Sequence, residues 1–215
     1  MFLCACTLVA LAAAMVGAPA IDLREETQYY PITATTIAGI NAQLRDEARR
    51  AAHPAHGRTR SHIALRLALV QREGRCALGS PELTLFIGTR LPQWTPRRTP
   101  APEVRRRWDE ALRRLAHHES AHRANALAGA EALRATLLAL PPQKSCAALE
   151  AAIDFAVERQ QARTRALDQA YDARTWHGLR EELLAADAQP GDTPHAGIAR
   201  DRSHDMGRAA APFWH

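Results

Sequence analysis

The spacing of apolar positions changes near the middle of the chain. In residues 63–69, Ile63, Leu65, Leu67 and Leu69 alternate with Ala64, Arg66 and Ala68. A period of two sets one side of a strand against a core. Leu83, Leu85 and Ile87 repeat the alternation after Gly79-Ser80-Pro81 and predict another strand. Upstream, Thr27-Gln28-Tyr29-Tyr30-Pro31-Ile32-Thr33 is β-branched and aromatic, and it too reads as a strand. Pro31 has no amide hydrogen for a ladder, so this strand lies at an edge or ends there. Thr35 or Thr36 can cap a helix running to about Arg50, with Ile37, Ile40 and Leu44 on one face. His53-Pro54-Ala55-His56-Gly57 breaks the chain after it. A Pro- and Arg-rich linker at 95–102 follows Leu91-Pro92-Gln93-Trp94.

Beyond the linker the period is helical. Pro100 or Pro102 suits a first turn, and Glu103 suits the dipole there. Val104, Trp108, Leu112 and Leu115 form a stripe that continues through His118, His122, Ala126, Leu133 and Leu137. Pro141-Pro142 stops this helix. A second runs from about Ser145 to about Ala170, with Leu149, Ile153, Val157, Thr164, Leu167 and Tyr171 on its inner face. The short connection makes the two antiparallel neighbours. The expected class is α+β: a small antiparallel or mixed sheet with an N-terminal helix, then a helical hairpin.

The stripe carries His118-Glu119-x-x-His122. On a helix, residues i and i+4 share a face, so two imidazoles can each give a nitrogen to one Zn²⁺. Glu119 lies beside them, where it can take a proton from a water that the ion activates. The rival is a solvated polar patch, since ten histidines occur in the chain. The inward phase of both residues favours ligands, with a buried hydrogen-bonded pair as the remaining alternative. His117 points about 100° away from His118.

The second helix locates further ligands. The return from Pro141-Pro142 brings the chain level with His122 in the 160s, because both legs rise about 1.5 Å per residue. Tyr171 to Gly178 can then reach the site. His177 is the candidate third ligand, with Gly178 permitting a sharp turn. Asp172 is the alternative ligand, or the group that holds a ligand's second nitrogen. Tyr171 is a candidate donor to an oxyanion, against the plainer reading of a packed aromatic. Glu131, on the motif helix itself, is too far along the axis.

Composition narrows the setting. The chain has 215 residues, 47% hydrophobic and 24% charged, which suits one globular domain. Its net charge of +5 comes from dispersed arginines and the single Lys144. Aromatic residues are not interleaved with them as stacking platforms, so nucleic-acid binding is not expected. Residues 1–20 carry no charge, Leu8–Val16 is apolar, and Ala18-Pro19-Ala20 resembles a cleavage site. This reads as a signal peptide cut after Ala20, with export to the periplasm or beyond, although no positive segment precedes the apolar run. An uncleaved anchor is the alternative. No later stretch is apolar enough to span a membrane, so no stable insertion follows cleavage. Cys76 and Cys146 then remain as an even pair, which predicts a disulfide. Residues 186–215 lack periodicity and read as a flexible tail, leaving 21–185 as the domain.

Several motifs together resemble a family. They are Tyr29-Tyr30-Pro31-Ile32-Thr33, Leu91-Pro92-x-Trp94, Arg107-Trp108, His118-Glu119-x-x-His122, Cys146 and Tyr171-Asp172-x-x-Thr175-x-His177-Gly178. They are similar to the bacterial domain of unknown function 922, described as predicted secreted Zn-dependent proteases, over about residues 27–180. The resemblance implies a zincin-like exported metalloprotease acting on protein or peptide. It implies His118, His122 and His177 as zinc ligands, Glu119 as general base, and a place in the site for the Tyr-Asp…Thr…His-Gly segment. The sequence departs from the family at Ala121, where glycine is usual. The rival function is a non-catalytic periplasmic zinc-binding or adaptor module.

Overall fold

The strand that everything else packs on is β5 (Glu82–Trp94), which lies between β1 (Asp22–Ile32) and β2 (Arg58–Arg66). The structure is a computed structural model and describes residues 21–52, 55–96 and 98–176. The expected leader at residues 1–20, the His177-Gly178 pair and the expected tail at 186–215 lie outside the described residues. Chain order continues with α1 (Ile37–Arg50), a hairpin of β3 (Leu69–Arg72) and β4 (Arg75–Leu78), and the long helices α2 (Pro102–Leu138) and α3 (Cys146–Thr175). The protein is α+β with a mixed sheet: β1 runs parallel to β5, and β2 antiparallel to it.

Strand β1 is an edge, so Pro31 costs no shared ladder bond. It begins five residues before Thr27, in the charged run from Asp22, because that segment is exposed and needs only backbone pairing. Beyond Arg90, β5 has left β2 behind, and Pro92 pairs with Tyr30 of β1 alone. The alternation at 63–69 does not form one strand. β2 ends at Arg66 and β3 starts at Leu69, while the Ala68 carbonyl accepts from the Gly79 amide at 2.7 Å. The apolar members stay together: Ile63, Leu65, Leu67 and Leu69 all pack on one core. Glu73 and Gly74 both have positive φ, the two-residue turn that suits a twisted hairpin.

Two faces of the sheet have different neighbours. Leu85 and Ile87 face α2 through Ala126 and Ala130. On the other parity, Tyr30 and Ile32 pack with Ile40 and Leu44 of α1 and with Trp108 and Ala111 from the start of α2. The helix α1 is capped by Thr36, whose hydroxyl accepts from the Gly39 amide. Its Gln43 accepts from the Thr33 amide at 2.8 Å and fixes the turn out of β1.

Helices α2 and α3 form the expected antiparallel hairpin. At the closed end Leu133, Leu137, Leu149 and Ile153 are buried with Cys76 and Leu83. Cys76 is disulfide-bonded to Cys146, with Cα atoms 5.0 Å apart, and its backbone pairs with Gln143. The β3–β4 hairpin is thus fastened to the helical connection. Ser145 caps α3 through the Ala148 amide. The helix continues past Ala170 to Thr175, since Tyr171-Asp172-Ala173-Arg174 holds neither glycine nor proline to stop it. Its inner face also differs from the apolar reading. Leu167 is exposed, and Asp168 takes the inward phase one turn after Thr164.

Candidate metal centre

The phase of α2 buries His118 and Glu119 among its apolar residues. His118 and His122 sit one turn apart and face α3. Opposite them α3 presents Asp168, Asp172 and Thr175, spaced four and three residues apart on one face. The approach is close because of Gly129. A Cβ there would lie 2.5 Å from the Thr164 hydroxyl, so a larger residue would force Thr164 to turn or α3 to move out.

The nitrogens are oriented from outside. His122 Nδ1 donates to Asp168 Oδ1 at 3.1 Å, and Asn125 holds the same oxygen at 2.8 Å. His118 Nδ1 meets the Thr175 hydroxyl at 3.3 Å, while that hydroxyl donates to the Tyr171 carbonyl at 2.9 Å. Both imidazoles therefore spend Nδ1 on α3 and turn Nε2 to a common point, the usual means of fixing a ligand tautomer. The two Nε2 atoms are 3.2 Å apart. Asp172 Oδ1 is 3.2 Å from that of His118 and 3.0 Å from that of His122.

This triangle fits a metal ion. A tetrahedral ion at about 2.0–2.1 Å from each ligand holds neighbouring ligand atoms about 3.3 Å apart. Two imidazole nitrogens and a carboxylate oxygen also make a sound donor set for a first-row divalent ion. His118, His122 and Asp172 are the group among the described residues with such spacing. The charge around them favours a cation. Burial opposes ionisation of His122, but Asp168 and Asp172 outweigh it and push its pKa up to about 10.

Glu119 points across to the sheet. Its Oε2 accepts from the Thr59 hydroxyl of β2 at 2.7 Å. A Cβ on Gly57 would meet its Oε1 at 2.5 Å, so the chain entering β2 passes directly over the carboxylate. Burial raises its pKa above the usual carboxylate range, against the pull of Thr59, His118 and His122. A raised carboxylate pKa suits a group that takes up a proton and later passes it on.

Tyr171 stacks on His118, with ring centroids 4.9 Å apart, and meets His122 edge-on. His177 lies outside the described residues. Sequence reasoning misses the contributions of Asp168, Gly57 and Thr59. Asp168 has a signal, since it precedes Asp172 by one helical turn. Thr59 has another: extending the β2 alternation back from Ile63 puts it on the helix side.

Beside the centre, a groove of about 630 Å³ runs between β2 and α3, bounded by Thr59, Ser61, His122, Thr164 and Asp168. β2 pairs with β5 on one side only, so its other edge faces this groove. No helix among the described residues is long and apolar enough to cross a membrane.

Comparison with known proteins adds the family. No curated protein and no solved structure matches the chain significantly. The family model described as "Bacterial protein of unknown function (DUF922)" matches residues 27–178, from the middle of β1 through both helices of the centre, and the chain belongs to that family.

Proposed function

We propose that the protein is an exported zinc-dependent peptidase. The observation that carries this reading is the triangle of His118 Nε2, His122 Nε2 and Asp172 Oδ1, with a buried Glu119 beside it. Three protein ligands with a fourth position for water or substrate is the catalytic pattern for zinc. On this reading Asp172 is the third ligand, and Asp168 and Thr175 orient the two imidazoles. Zinc, when bound, supplies Lewis acidity that activates water and polarises a carbonyl. Glu119, held by Thr59, takes the proton and returns it to the leaving amine. The free edge of β2 lies along the groove, where an extended peptide can add as a strand. The disulfide supports an oxidising compartment such as the periplasm or the outside of the cell.

The test pairs metal content with hydrolysis of a mixed peptide library. The parent is expected to hold zinc and cut peptides. Glu119→Gln is expected to keep the zinc and lose at least about a hundredfold in rate, the scale of a general base. Zinc without hydrolysis in the parent would instead favour the non-catalytic zinc module. Unchanged hydrolysis in Glu119→Gln would remove that residue from the chemistry.

A further inference from the structure

The face of β2 turned away from the metal centre carries a second kind of chemistry. Side chains alternate along a strand, so Thr59 faces Glu119 while Arg58 and Arg60 face the opposite side. There they line a cavity of about 380 Å³, between the sheet and α1, together with Arg90, Arg50 and Glu47. Glu47 is already spent: its carboxylate pairs with both Arg50 and Arg90. Arg58 and Arg60 have no acidic partner among the described residues. Their Cα atoms are about 7 Å apart at strand spacing. Arg60 lies opposite Gly88 in the register, so no side chain from β5 stands beside it. Burial and the neighbouring Arg60 both press on the charge of Arg58 and lower its pKa. A partly buried pair of like charges without a counter-ion is a place where an anion binds well.

The same two residues also border the groove on the metal side, at the free edge of β2. One strand therefore joins both spaces. A peptide added at this edge sends alternate side chains to the two faces of the sheet. Those on one face approach Glu119 and the histidines. Those on the other pass over Arg58 and Arg60.

We infer that Arg58 and Arg60 form a carboxylate-recognising subsite, which selects extended peptides carrying Asp or Glu on the outward-facing positions beside the scissile bond. This rests on the peptidase reading and names its substrate class.

The experiment measures binding without turnover, on the full chain as the zinc-loaded Glu119→Gln variant. Fluorescent alanine-based heptapeptides, acetylated and amidated, carry a single Glu or Gln at each position in turn. At one position, or at two positions two residues apart, the Glu peptide should bind about tenfold tighter than its Gln counterpart, with the advantage shrinking as salt rises. Adding Arg58→Ala and Arg60→Ala should abolish the difference while zinc content stays the same. If that combination does not fold, Arg60→Gln should remove a large part of it. Equal affinity for Glu and Gln peptides throughout overturns the subsite and leaves the peptidase reading standing. Discrimination that survives loss of both arginines overturns it as well. An all-Gln heptapeptide with a free C-terminal carboxylate, run alongside, should bind no better than its amidated form; tighter binding than the internal-Glu peptides would overturn the side-chain assignment. If no peptide binds the variant and none is cut by the parent, the peptidase reading fails first and takes the subsite with it.

Discussion

The two ends of the α2–α3 hairpin are built from opposite materials. The closed end is dry: Leu133, Leu137, Leu149 and Ile153 pack against Cys76, and a disulfide locks the connection. The open end is polar: His118, His122, Asp168 and Asp172 meet at hydrogen-bonding distances, with Glu119 buried behind them. Burying such charges costs several kcal/mol unless they are well paired. The difference teaches where the stability of this fold resides. Apolar packing and the cross-link hold the helices at one end, so the other can keep polar groups whose spacing fits an ion.

The largest effect expected from breaking this division is at the closed end. Replacing Cys76 and Cys146 by serine opens a loop of 70 residues and should lower unfolding free energy by about 4 kcal/mol, measured by denaturant titration. Zinc affinity of the molecules that remain folded should hardly change. Next is Gly129→Val, which pushes on Thr164 just beside the centre. It should cost about 1–3 kcal/mol in stability and also weaken metal binding, because it separates the helices that share the ligands. A variant that loses stability but keeps full metal affinity would show the two ends to be independent even at this level.

Asp168→Asn sharpens the comparison within the open end. The residue touches His122 through Nδ1, so its loss should weaken zinc binding about 10- to 100-fold in a competition titration, with little change in fold. The smallest effect concerns Glu47, on α1. Burial opposes its ionisation, but Arg50 and Arg90 outweigh it and hold its pKa below the usual range. A lowered folded-state pKa gives stability that is present above the unfolded value and lost as pH falls through the folded one. Glu47→Gln should therefore flatten part of the stability curve below about pH 4.5, by about 1 kcal/mol or less.

Most of this division is legible in the sequence. The spacing from Trp108 to Leu137 sets the α2 stripe, and it puts both histidines inward because they share its phase. The expected cysteine pair is bonded. The return distance along α3 places the 160s opposite His122, and Asp168 is there. What escapes is polar. Leu167 ranks above Asp168 as an inner residue because apolar patterning rewards leucine, whereas this face is shaped by the histidines across from it. The same patterning ends α3 too early, which puts Asp172 on a following segment when it is helical. The charged start of β1 gives no alternation to follow, since its pairing is made by backbone alone. Gly57 and Thr59 touch Glu119 across 60 residues of sequence, and no local pattern reports such a contact.

The central claim is that three side chains from two helices converge to hold an ion. Its most direct test is zinc per chain by elemental analysis, on the parent and on His118→Ala and Asp172→Ala, each verified as folded. The account predicts about one zinc in the parent and little in either variant. A parent that takes up no zinc after incubation, or an Asp172→Ala chain that retains a full equivalent, would contradict it.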